Sequence, residues 1–204
     1  MMHRQSLSAV VSIFACFTVL SCTNDSTEVT PEEEQWVAAV GRESATALAG
    51  GLIQRLTAAL QEGGAEHAVS FCSQETLSLT ATIEQGLTDG IQLKRTSLKY
   101  RNPANAPDEL ETAAIGYFED ALANRHELPP YYVQRASRSD FRYYQPLVVN
   151  DLCLQCHGTA ETIAPEVRQA IETLYPNDLA TGYTLGELRG LIRVTVPARV
   201  LEDT

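Results

Sequence analysis

The sequence predicts an α+β fold: a mainly antiparallel sheet with packed helices, preceded by a long N-terminal helix. Three observations carry this expectation. Apolar residues recur at helical spacing after residue 30, and again around residues 110–122 and 165–176. Four short runs rich in β-branched and aromatic residues, at 91–100, 131–135, 141–149 and 191–196, are interleaved with those helices. A hydrophobic content of 44% in 204 residues supplies one core, and no repeat or low-complexity run divides the chain.

Taken in order, the first residues read as an address. Arg4 precedes an apolar run at 7–20, too short to span a bilayer, so residues 1–21 are expected to be a lipoprotein signal peptide. Val19-Leu20-Ser21-Cys22 looks like a lipobox, in which Cys22 takes lipid and becomes the first mature residue. No aspartate directly follows Cys22, which favours the outer membrane in a Gram-negative host. Residues 22–30 read as a flexible tether and 31–204 as a single domain. The expected location is periplasmic, held to the membrane by lipid.

Thr30-Pro31-Glu32-Glu33 is a helix start, with Thr as N-cap, proline at the first helical position and glutamate at the third. Gly63-Gly64 ends that helix, and a second is expected over 65–85. The strand at 91–100 runs into the proline-rich loop Arg101-Asn102-Pro103-Ala104-Asn105-Ala106-Pro107. A third helix follows, with Glu109 and Glu111 near its positive end. Two strands separated by a turn near 137–140 then lead to residue 150, and a short helix, a loop at 177–190 and a last strand complete the chain.

The chemistry sits in Cys153-Leu154-Gln155-Cys156-His157-Gly158. Two thiols three residues apart can add to the two vinyl groups on one porphyrin edge, and the next residue offers an imidazole to the iron, so this is the attachment pattern of a covalent haem c, one per chain. His157 is the expected proximal ligand. A zinc site would need a second Cys pair, which the chain lacks, and a redox dithiol needs no following histidine.

Five cysteines are present. Cys16 leaves with the leader, Cys22 takes lipid, and Cys153 and Cys156 take haem, so Cys72 is left over. Both methionines are residues 1 and 2, so the mature protein has none for the iron. The distal candidates are Cys72, His67, His126 or an open position. Ala65, Ala68, Val69, Cys72, Leu79 and Ile83 form one helical stripe, which buries Cys72, whereas His67 lies about 140° away and should face solvent. Spacing leaves Cys72 either a ligand or a plain buried cysteine. Haem carboxylates need cationic or hydrogen-bonding neighbours, and Arg95, Arg101, Asn102 and Asn105 are the candidates. Tyr143 and Tyr144 read as sheet packing.

Several stretches together resemble a family of periplasmic, PAS-like domains that carry one c-type haem, stand-alone in some bacteria and sensor modules in others. They are Ala68 to Cys72, the run from Arg95 to Glu111, the Cys153–His157 motif, and Asp178 to Tyr183 with Leu188-Arg189-Gly190. The resemblance covers about residue 35 onward. It implies a PAS-like haem c domain over 31–204 whose iron is held between His157 and Cys72. Val69 and Ser70 stand where the family commonly has an isoleucine and an acidic residue.

A thiolate ligand favours ferric iron and lowers the potential, and two strong ligands leave no position for substrate, so no enzymatic activity is expected. The expected function is one-electron transfer with a periplasmic partner. The alternative is a redox or gas (NO, CO) sensor in which Cys72 leaves the iron and signals to a separate partner protein. A net charge of −11, one unit more negative once Arg4 is removed with the leader, argues against nucleic acid as a partner.

Overall fold

The computed structural model describes residues 28–88, 90–124 and 126–201. The leader, Cys16, Cys22 and most of the tether lie outside the described residues. The architecture is α+β, with a four-stranded antiparallel sheet in the order β1-β4-β3-β2. The strands are β1 (Gln92–Thr96), β2 (Tyr132–Arg135), β3 (Asp140–Val148) and β4 (Leu188–Pro197).

The long helix α1 (Pro31–Gln74) begins where the sequence places it. Thr30 Oγ1 accepts from the Glu33 amide at 3.3 Å while the Glu33 carboxylate accepts from the Thr30 amide at 2.9 Å, a reciprocal cap. Gly63 and Gly64 break the helical path, Gly64 with φ at 71°, and divide α1 into a long first arm and a short second one. The helix expected over 65–85 is thus two pieces, because the chain bends again at Glu75 before α2 (Thr76–Gln85). Thr76 Oγ1 donates to the Cys72 carbonyl at 2.9 Å and Ser73 Oγ to that of Ser70 at 3.0 Å, back-bonding of the kind that bends helices.

Alternation along the strands assigns the two sheet faces. Phe141 and Tyr143 of β3, Ile192, Val194 and Val196 of β4 and Leu93 of β1 meet Val37, Ala38, Ala45 and Leu48 of α1 in the main core. Gly41 lets the helix lie directly on the sheet, since a Cβ there would overlap the Tyr143 ring. On the opposite face Tyr144 and Leu191 pack under Ala114, Ile115 and Phe118 of α3 (Glu109–Ala123). Both tyrosines are therefore sheet packing, as expected.

Beyond Tyr144, β3 has no partner on its β2 side, because that pairing ends at Tyr132. Proline is accommodated at 146 for that reason, and the chain, paired with β4 alone as far as Val148, runs on to Asn150. There Asn150 Oδ1 accepts from the Cys153 amide at 3.2 Å and starts α4 (Asp151–His157), a seven-residue helix that the sequence reading did not anticipate. α5 (Pro165–Leu174) follows. β4 begins at Leu188, three residues earlier than expected.

Candidate functional site

A cavity of about 410 Å³ opens where these irregular parts meet. The first arm of α1 contributes Ile53, Leu56 and Leu60, and the short second arm Ala68, Val69 and Cys72. The end of β3 gives Leu147 and Val148, α4 gives Cys153, Cys156 and His157, and the sheet gives Arg95, Thr96, Arg189 and Leu191. Tyr100, Arg101 and Asn105 close it from the loop after β1. Its size lies within the usual range for cofactor sites. A larger cleft of about 620 Å³ on the α3 side contains no cysteine or histidine.

All four residues on which the sequence reading centred reach this one cavity. Cys72, Cys153 and Cys156 are free thiols. Burial pushes the Cys156 pKa up to about 11. It raises that of Cys72 as well, against the pull of Arg95 and Arg101. Among the described residues no three His, Cys, Asp or Glu side chains converge closely enough to hold a bare metal ion. The sulfur and imidazole donors line a volume rather than a point.

His157 is held in one tautomer. Its Nδ1 lies 2.7 Å from the Ala180 carbonyl oxygen, which can only accept, so Nδ1 carries the proton and Nε2 keeps its lone pair. Burial holds the His157 pKa well below the usual histidine value, and Arg189 and Arg101 push it down further. The ring is therefore neutral near pH 7, and the edge of Tyr183 flanks it at 6.4 Å between centroids.

Among the described residues three arginines line the cavity, and no Asp or Glu does. They are used differently. Arg101 is buried and forks onto Asp178, with Nε at 3.0 Å from Oδ1 and Nη2 at 3.1 Å from Oδ2, while Nη2 also donates to the Cys156 carbonyl at 2.7 Å. Arg189 donates to Ser97 Oγ at 3.0 Å and the Lys99 carbonyl at 3.1 Å, and lies over the Tyr183 ring. Among the described residues Arg95 has no carboxylate or carbonyl partner; burial lowers its pKa, and the charges that oppose this are Cys72 and Tyr175.

Asn105 lines the cavity, but Asn102 does not. Its side-chain oxygen accepts from the Ala104 amide at 2.9 Å and caps the 3₁₀ turn Pro103–Asn105. His67 is exposed beside Glu62 and His126 is exposed, so neither reaches the cavity. Arg189 and Asp178 had been given no role from the sequence. Asp178 lies 77 residues from its arginine, and no local spacing signals the pair.

The Tll0287-like family model matches residues 18–197. The chain belongs to this family. The crystal structure of the cyanobacterial heme-protein Tll0287 is similar to it, with a TM-score of 0.56 and 25% identity over 83% of this chain and 98% of that one. No curated protein matches. The Tll0287-like match spans every element that builds the cavity, from α1 to β4.

Proposed function

We propose that this chain is a haem c protein, one haem per chain, that transfers single electrons. The observation that carries the reading is the composition of one cavity wall among the described residues: two thiols and an imidazole in attachment spacing, a third thiol, three guanidiniums and no carboxylate. The donors fit the group. Cys153 and Cys156 would form the thioethers, His157 would offer Nε2, and Cys72 would be the opposing ligand. Arg95 and Asn105 suit the carboxylates of the group, because neither is tied to an internal anion. The apolar residues of both α1 arms would cover its faces. A haem bound there would supply reversible one-electron chemistry. The similarity to a heme-protein supports the reading.

The cellular setting belongs to the same proposal: export by residues 1–21, a lipid on Cys22 and a periplasmic partner that exchanges the electron. Two strong ligands leave no place for substrate, so the proposed role is not enzymatic.

The alternative is sensing, favoured by one feature of α1. Cys72 sits on the short arm between Gly63–Gly64 and Glu75, so release of its sulfur would free that arm to shift relative to the rest of the helix.

The test is the protein expressed with haem-attachment machinery, compared with Cys72→Ala by optical and EPR spectroscopy. The expected result is covalent haem in both, with a low-spin thiolate signature in the wild type alone. A spectrum that the substitution leaves unchanged removes Cys72 as a ligand, and absence of covalent haem removes the reading altogether. Increased hydrogen exchange in 65–74 after dithionite or nitric oxide would decide for sensing.

A further inference from the structure

His157 is oriented by a single acceptor, the Ala180 carbonyl, and that carbonyl belongs to a segment without regular secondary structure. Residues 177–187 form no helix or strand, and Leu179 is about half exposed. Ala180 is nonetheless fully buried. What fixes it is a pair of charged side chains. Asp178 Oδ1 accepts from the Ala180 amide at 3.0 Å, and the same carboxylate receives the fork of Arg101. Arg101 Nη2 reaches the Ala180 carbonyl oxygen at 3.5 Å and the Cys156 carbonyl oxygen at 2.7 Å. One guanidinium thus touches the attachment helix, the acceptor of His157 and the anion that holds the acceptor. Backbone bonds from Gly182 to Gly158 at 2.7 Å and from Tyr183 to His157 at 3.0 Å seat the strap on the end of α4.

We infer that Asp178 and Arg101 are positioning residues for His157: together they set the direction and the strength of the bond from Nδ1–H to Ala180, and through it the aim and basicity of Nε2. The inference rests on the haem reading above and gives Arg101 a task other than binding the carboxylates of the group. The physical ground is that the partner of the non-ligating ring nitrogen fixes ring orientation and raises ligand basicity, so moving that partner changes the metal's properties with no ligand lost. A point charge could neutralise Asp178, but only a planar fork reaches the carboxylate with two nitrogens while still donating to Cys156.

Two variants test this in haem-loaded protein. Asp178→Asn keeps the shape and can still accept from Ala180, but removes the charge that holds the fork. Arg101→Lys keeps the charge and loses the fork. In both, covalent haem should still form and Cys72 ligation persist. The low-spin EPR g-values should move, and the oxidised-to-reduced ratio at a fixed solution potential should change roughly tenfold. Leu179→Ala, in the same strap but outside the pair, should leave both readouts at their wild-type values. Should Asp178→Asn fail to fold, Arg101→Lys carries the same prediction. Wild-type spectra and redox balance in the folded variants, beside a haem-loaded wild type, would overturn this inference alone. A wild type without covalent haem would overturn the functional reading and this inference with it.

Discussion

Arginines are buried or half-buried in two regions of this molecule, on the α3 side of the sheet and around the cavity, and the chain treats the two differently. On the α3 side Glu111 is fully buried and gathers its partners: Lys94 Nζ at 2.6 Å, Thr96 Oγ1 at 3.1 Å, the Asp108 amide at 3.0 Å and Arg193 Nε at 3.2 Å. Arg142 pairs nearby with Asp108 at 2.8 Å. Each of these three cations faces an internal anion, so the cluster ties β1, β4 and α3 together. Around the cavity, among the described residues, Arg101 alone has a carboxylate, and Arg95 has none. Burying an uncompensated charge costs several kcal/mol in a dry site, so the chain tolerates Arg95 only beside a wall that something anionic or solvent can reach. Compensation marks structure, and its absence marks a binding surface.

That contrast can be broken from either side. The largest effect is expected at Glu111→Gln, which strands Lys94 and Arg193 without their shared anion. Stability should fall by about 3–5 kcal/mol in urea unfolding, and the optical spectrum of the folded haem protein should not change. A smaller effect concerns Tyr175, whose ring lies beneath Arg101 and whose pKa is pushed up to about 12, mainly by burial and then by Cys72. Above pH 10 the unfolded phenol loses its proton while the folded one keeps it. The folded state then binds more protons, and stability should decline between pH 10 and 12 with a slope approaching about 1.4 kcal/mol per pH unit. Tyr175→Phe should lack that component in parallel unfolding curves. The smallest effect on the fold is expected at Arg95→Gln: no more than about 1 kcal/mol in the haem-free protein, since no bond is lost. Its consequence should appear only with haem, as a narrowed gap in Tm between the loaded and haem-free forms by calorimetry. A loss as large as that at Glu111 would erase the difference between the two regions.

The pattern of what was legible follows from the range of each interaction. That Cys153, Cys156 and His157 meet on one cavity wall was readable because they lie within five residues of one another. Cys72 reached the cavity as its helical stripe required, while His67, on the other side of that helix, faces solvent. The Thr30 cap and the Gly63–Gly64 break were local as well. The bend at Glu75 was not foreseen, since it comes from hydroxyl back-bonding that many helices absorb without bending. Asn102 was assigned to the cavity because of its neighbours, but an asparagine before Pro103 satisfies its own turn first. The Arg101–Asp178 fork and the role of Arg189 depend on residues brought together across most of the domain, and no periodicity encodes that.

The first arm of α1 also sets a distance. Ile53, where the helix first meets the cavity, lies about 33 Å along the axis from the capped start at Pro31. That span is comparable to the breadth of a small domain. Two bodies, one at the N-terminal end of the helix and one at the mouth of the cavity, would be separated by that length and would not collide.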